Sequence, residues 1–190
     1  MKTVAKETQI KFEEKKSKYI GYIKPVITKK EAEDFIIKIK KKHPDASHNP
    51  SAYKVIEKER EYFKFSDDGE PQNTAGKPMA ELINLMKVNN LVIVATRYFG
   101  GIKLGAGGLI RSYVKAGKLA IIESGIIEYK EKIEFMIEFD YKLVDVIDKI
   151  LENEDTNIMD KNYGEKVTYK IETVSEIKKG LELKQGVLIV

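Results

Sequence analysis

Apolar positions along the chain follow two periods, one of about two residues and one of three to four, and the changes between them mark the elements. Lys18 to Val26 (KYIGYIKPV) has strand composition and ends near Pro25. Thr28-Lys-Lys-Glu31 then reads as a capping box. Ala32, Phe35, Ile36 and Ile39 recur at helical spacing behind it, which predicts a helix to about Lys42, with Pro44 just past its end. Ser51 to Lys58 and Arg60 to Phe65 alternate as strands do, and Asp67-Asp68-Gly69-Glu70-Pro71 is turn chemistry. Pro78 suits the first turn of a second helix, where its missing N–H costs nothing. Met79, Leu82, Ile83 and Met86 give that helix one apolar stripe, and Asn89-Asn90 ends it. Leu91 to Ala95 is a continuous apolar run, the mark of a buried strand. A third helix is expected from about Leu109 to Glu123, stopped by Gly125, and then a short strand from Ile126 to Tyr129.

After Lys130-Glu131-Lys132 the pattern starts again. It predicts strand (Ile133–Phe139), helix (Tyr141–Leu151), strands (Asn157–Asn162 and Lys166–Glu172), helix (Ser175–Glu182) and strand (Gly186–Val190). Thr173-Val-Ser-Glu176 reads as a second capping box. The order βαββαβ is that of a ferredoxin-like sandwich. The expectation is an α+β protein of two domains, residues 1–130 and 131–190.

Charge supports that division. Residues 131–190 hold 9 lysines against 14 acidic residues, a balance of −5, so residues 1–130 carry +9 of a chain whose net charge is +4. A basic first half suits an anionic partner, although lysines such as Lys38, Lys40, Lys41 and Lys42 also coat solvated helix faces. Cysteine is absent, which fits a reducing cytoplasm and excludes disulfides, thiolate metal sites and cysteine nucleophiles. Met1 to Lys11 is polar and lacks the apolar stretch of a signal peptide, and no apolar run approaches the roughly 18–20 residues of a membrane span.

Three clusters carry candidate chemistry. The first is Thr96-Arg97-Tyr-Phe-Gly100-Gly101-Ile-Lys103-Leu-Gly105-Ala-Gly107-Gly108-Leu-Ile-Arg111, with five glycines between Gly100 and Gly108. A strand leads in and a helix leads out, so the backbone N–H groups of a helix start near Gly107 or Gly108 would face an anion. Arginine occurs only at Arg60, Arg97 and Arg111, and two of these flank the loop. The expected contacts to phosphate are Arg97, Lys103 and Arg111, with Gly100, Gly101, Gly105, Gly107 and Gly108 allowing close approach. The sequence is neither a Walker A loop nor a dinucleotide-binding fingerprint, and the competing reading is tight strand-to-helix packing with no ligand.

The second cluster is Ser66-Asp-Asp-Gly-Glu-Pro71, whose Asp67, Asp68 and Glu70 suit either acid–base and cation chemistry or local turn capping. The third is His48, one of two histidines and the one in a loop between elements. His43 stands at the end of a helix, where a cation is favoured. An enzymatic reading would have His48 converge with Asp67, Asp68 and Glu70 as base and cation site for a hydrolase or phosphotransferase. No motif asks for a cofactor, and no metal-ligand spacing is present.

Ser17-Lys18, Ala46-x-His48, Ser66-Asp-Asp-Gly-Glu-Pro71, Thr74-Ala-Gly-x-Pro78 and Arg97-Tyr-Phe-Gly-Gly-x-Lys-Leu-Gly-x-Gly-Gly-Leu109 resemble the YigZ/IMPACT family in order and spacing. The resemblance covers roughly Lys15 to Gly125. It implies a first domain like ribosomal protein S5 domain 2, and a ferredoxin-like second domain like the last domain of elongation factor G. It further implies a translation-linked regulator, because eukaryotic relatives control translation initiation, with RNA, the ribosome or a translation factor as partner. A pure protein-interaction module without nucleic-acid binding is the remaining alternative. Family members often carry a cysteine shortly after the histidine; Pro50 stands there, so a thiol mechanism has no place in this chain.

Overall fold

Leu91–Tyr98, which holds the continuous apolar run, is the central strand of a five-stranded sheet in a computed structural model that describes residues 1–58, 60–130 and 132–190. The chain divides into two compact units, Met1–Tyr129 and Lys130–Val190. The first unit runs β1 (Lys2–Val4), β2 (Thr8–Glu14), β3 (Ser17–Pro25), α1 (Lys29–Lys42), β4 (Ser51–Glu57), β5 (Arg60–Ser66), α2 (Gly76–Leu85), β6 (Leu91–Tyr98), α3 (Gly105–Ser124) and β7 (Ile126–Glu128). The sheet order is β2-β3-β6-β4-β5, with every pair antiparallel, and β1 pairs separately with β7.

Helices cover both faces of this sheet, which is why β6 reads as unbroken apolar sequence. Val92 and Val94 face α1 with Tyr22, Phe35, Ile39 and Val55. Leu91, Ile93 and Ala95 face α2 and α3 with Met79, Leu82, Tyr113 and Ala116. This alternation sends Arg97, two residues beyond Ala95, to the α2/α3 side. The cap of α1 forms as its sequence predicts: Thr28 Oγ1 accepts from Glu31 N at 3.1 Å, and Glu31 returns a carboxylate to Ile27 N at 2.8 Å.

Three features depart from the sequence reading. Two strands, β1 and β2, precede the first expected one. α3 begins at Gly105 rather than near Leu109, so the loop proper is only Phe99 to Leu104, and Gly107 and Gly108 are helical. Gly108 is fixed by a local contact, since a Cβ there would lie 2.9 Å from the Cβ of Leu104 at the cap of the same helix. Thr173 does not cap the last helix: its hydroxyl bonds Thr156 at 2.7 Å, and Val174 occupies the cap position.

The second unit runs β8 (Lys132–Phe139), a 3-10 turn (Tyr141–Leu143), α4 (Val144–Leu151), β9 (Asn157–Tyr163), β10 (Val167–Val174), α5 (Ser175–Glu182) and β11 (Val187–Ile189). Its antiparallel sheet has the order β11-β8-β10-β9. Ile137, Phe139, Ile147, Tyr169, Ile171 and Leu181 fill the core beneath α4 and α5. Among the described residues no helix is long and apolar enough to cross a membrane.

Candidate functional site

The backbone of Arg97 holds two of the three sequence clusters side by side. Arg97 N donates to the His48 carbonyl at 2.9 Å, and Ser47 N donates to the Arg97 carbonyl at 2.9 Å. An antiparallel bridge thus lays the His48 segment against the end of β6. On the other side, β3 pairs with β6 so that Tyr19 lies opposite Arg97.

The Ser66–Pro71 cluster closes over this bridge. Glu70 is buried, with its side chain 2% exposed, and its Oε1 takes hydrogen bonds from Arg97 Nη1 at 2.6 Å and from the Tyr113 hydroxyl at 2.5 Å. Burial alone would push the Arg97 guanidinium down; the hydrogen bond and charge of Glu70 outweigh it, so the pKa is raised and the group stays cationic. Burial pushes the Tyr113 hydroxyl far up, reinforced by the Glu70 carboxylate that accepts its hydrogen bond. Arg97 therefore does not reach out to a phosphate as the sequence suggested. It is 6% exposed and holds the Ser66–Pro71 turn onto the sheet.

His48 stands over Glu70. Its Nδ1 lies 2.9 Å from the Asp68 carbonyl oxygen, which can only accept, so Nδ1 donates. Nε2 lies 3.9 Å from Glu70 Oε2. These groups open into a pocket of about 520 Å³, lined also by Ser47, Pro71, Phe99, Lys103, Leu104, Gly105, Ala106 and Leu109. Lys103 is exposed at this pocket, and α3 begins here at Gly105 with no capping side chain from Leu104. Its first N–H groups thus lack intrahelical partners.

Asp67 and Asp68 do not join His48 and Glu70. Asp67 Oδ1 accepts from Ala75 N at 3.0 Å and Gly76 N at 2.8 Å, while its Oδ2 accepts from Asn73 N at 2.7 Å. It thereby supplies the first turn of α2, whose cap position is Ala75, with the acceptor that alanine lacks. Asp68 accepts from Lys40 Nζ at 2.5 Å and Asn49 N at 2.7 Å. These two carboxylates act as turn and cap residues, and Glu70 is neutralised by Arg97; among the described residues no group of three acidic or imidazole side chains is arranged to hold a metal ion. Burial and Lys42 push the pKa of His43 down, so the helix end does not favour its cationic form.

Arg111 lies on α3 beside a separate recess, with Lys15, Lys115, Glu14, Leu104, Gly108 and Ser112. Gly100 and Gly101 turn the chain between β6 and Lys103. The sequence reading missed Tyr113 and the pocket wall at Phe99 and Leu104. Only the helical spacing of Tyr113 from Leu109 marked it as inward-facing.

The site lies within a region shared with known proteins. A family model described as the Impact N-terminal domain matches residues 15–121. The IMPACT family member YvyE of Bacillus subtilis (strain 168) is 41% identical over 155 residues, covering 82% of this chain and 71% of that protein. The IMPACT family member YigZ of Escherichia coli (strain K12) is 31% identical over 150 residues, covering 78% and 74%. A crystal structure of a hypothetical protein superposes with a TM-score of 0.67 at 27% identity, covering 100% of this chain and 95% of that one.

Proposed function

This chain belongs to the IMPACT family, and from that premise we propose that it is a translation-linked regulator whose first unit binds RNA, on the ribosome or free. The link to translation rests on the family resemblance. The RNA contact rests on one observation about the lysines.

On α1, four of the six lysines are matched to acids, Lys29 with Glu33, Lys30 with Asp34, Lys38 with Glu7 and Lys40 with Asp68, and Lys42 lies over the Tyr22 ring. Around the start of α3 the cations are not matched. Lys15, Lys103, Arg111 and Lys115 are exposed and form no ion pair among the described residues. Lys15, Arg111 and Lys115 share one recess, and Lys103 stands at the neighbouring pocket. Unpaired cations brought together from the β2–β3 turn, the β6–α3 loop and α3 favour a polyanion over a solvated surface. Lys103 and Arg111 keep the phosphate role the sequence suggested, Lys15 and Lys115 join them, and Arg97 supports the loop from below.

The test is cosedimentation with ribosomes and ribosomal subunits, and RNA binding, across a salt series. Wild type is compared with a Lys15→Ala/Lys103→Ala/Arg111→Ala variant. Each phosphate contact removed lowers the slope of log affinity against log salt by about one, so the variant loses about three. Binding that ignores salt, or survives in the variant unchanged, rejects the reading.

A further inference from the structure

The Glu70 carboxylate is only half used. Oε1 takes both Arg97 and Tyr113, while Oε2 makes no hydrogen bond among the described residues and has only His48 Nε2, at 3.9 Å, beside it. Glu70 is 7% exposed, so this free acceptor belongs to a side chain more than nine-tenths buried, and it lines the pocket. With Nδ1–H of His48 donated to the Asp68 carbonyl, the tautomer that leaves Nε2 unprotonated presents a second acceptor next to the first. In that tautomer the pocket lining offers two acceptors side by side. The same pocket is lined by Lys103 and by the start of α3, whose first N–H groups lack intrahelical partners. Pro71, Leu104, Leu109 and the 47% exposed ring of Phe99 supply apolar lining.

We propose that this pocket takes a single unpaired guanine nucleotide. This deepens the RNA-binding reading above and rests on it for the source of the nucleotide. Two adjacent acceptors select a guest with two adjacent donors. Guanine presents N1–H beside its 2-amino group. Adenine and cytosine present one donor beside an acceptor, and uracil presents one donor between acceptors. A guanidinium or amidine also carries paired donors, but Arg97 already neutralises Glu70, and Lys103 and the helix start add positive potential. A neutral, flat donor attached to a phosphate fits that field; a cation does not. Phe99 supplies the stacking surface, which tolerates any base, so discrimination falls to Glu70 Oε2 and His48 Nε2. The pocket volume of about 520 Å³ accommodates one nucleotide.

The experiment titrates the full chain with 5′-GMP, and with 5′-IMP, 5′-AMP and 5′-CMP, following backbone amide shifts by NMR to millimolar ligand. Saturable GMP binding centred on the pocket amides is expected. IMP, which lacks the 2-amino donor, is expected to bind about tenfold or more weaker, because one buried acceptor loses its partner. Phe99→Ala, at an exposed ring, should weaken GMP by about tenfold without altering the fold. Glu70→Gln, checked for folding by its melting curve, should remove the preference for GMP over IMP. Equal binding of all four nucleotides overturns the base assignment. Salt-sensitive RNA binding with no GMP binding overturns this inference and leaves the RNA reading standing. GMP binding with no RNA binding supports the pocket and rejects the RNA reading.

Discussion

Arg97 Nη1 lies 2.6 Å from Glu70 Oε1 inside the first unit, joining two sequence motifs that separately looked like a phosphate clamp and an acidic catalytic turn. Both partners are buried, so the pair costs desolvation as well as gaining attraction. Its main effect is positional: the guanidinium fixes the carboxylate, and the carboxylate fixes the Ser66–Pro71 turn above the pocket.

Removing one partner is therefore expected to cost more than removing both. Glu70→Leu alone strands a buried cation and takes the acceptor from the Tyr113 hydroxyl, and Arg97→Met alone strands a buried carboxylate, each for a loss of about 3–5 kcal/mol. Glu70→Leu combined with Arg97→Met removes both charges, and its stability should lie closer to wild type than that of either single variant. Urea denaturation of the four proteins measures the coupling. A double variant as unstable as the sum of its singles would show that the pair is not coupled.

Asp67 should matter through backbone donors rather than through chemistry. Asp67→Ala leaves the N–H groups of Asn73, Ala75 and Gly76 without their acceptor, two of them at the start of α2. A loss of about 1–3 kcal/mol follows. Asp67→Asn keeps one oxygen and should fall between wild type and alanine. Denaturation midpoints give the order, and RNA affinity of the folded variants should be nearly unchanged.

Much of this was legible in the sequence, and the illegible parts share a cause. The apolar run at Leu91 announced a strand covered on both faces, and Thr28 with Glu31 announced the cap of α1. Strand β2 was hidden because Ile10 and Phe12 are its only apolar inward positions among charged neighbours. The start of α3 was hidden because Gly105, Gly107 and Gly108 have poor helix propensity and signal a loop. Asp67, Asp68 and Glu70 sit within four residues yet serve α2, Lys40 and Arg97 respectively, since successive turn residues point in different directions. Arg97 was read as free because only strand parity, together with the fold of a distant turn, sets its side chain inward.

Gly100 and Gly101 stand together in the sequence but answer to different constraints. A Cβ at Gly100 would lie 1.9 Å from the Lys16 carbonyl oxygen and 2.6 Å from Ser17 N, backbone atoms of the β2–β3 turn that cannot swing aside. A Cβ at Gly101 meets nothing within 4 Å, but its φ of +88° strains any other residue. Gly101→Ala should cost about 1–2 kcal/mol. Gly100→Ala should reach or exceed the upper end of the ~1–3 kcal/mol range for overpacking, because the β2–β3 turn must move. Thermal unfolding of the pair tests the order; the reverse order would mean that this contact is looser than it stands.

His43 gives the first unit a pH dependence whose sign is fixed by its neighbours. Its Nε2 lies 2.6 Å from the Tyr22 hydroxyl and its Nδ1 lies 2.7 Å from the Tyr98 hydroxyl. A neutral imidazole satisfies both contacts, accepting at one nitrogen and donating at the other; protonation makes both nitrogens donors, so the hydroxyl that had donated must turn away. Burial lowers the His43 pKa, and Lys42 and Lys11 add to the shift against the opposing charge of Asp45. The unfolded chain takes up this proton near pH 6.5, whereas the folded chain takes it up only at lower pH. Between those values the unfolded state holds more protons, so stability rises with pH. The contribution of neutral His43 is complete above about pH 6.5 and declines as the pH falls toward the folded value. Comparing urea midpoints of wild type and His43→Gln from pH 7.5 to pH 5 isolates this group, because the remaining titrations are common to both proteins. Wild type should lose its advantage over the variant as the pH drops; a difference that stays constant, or grows on acidification, would show that the folded state accepts the proton as readily as the unfolded chain.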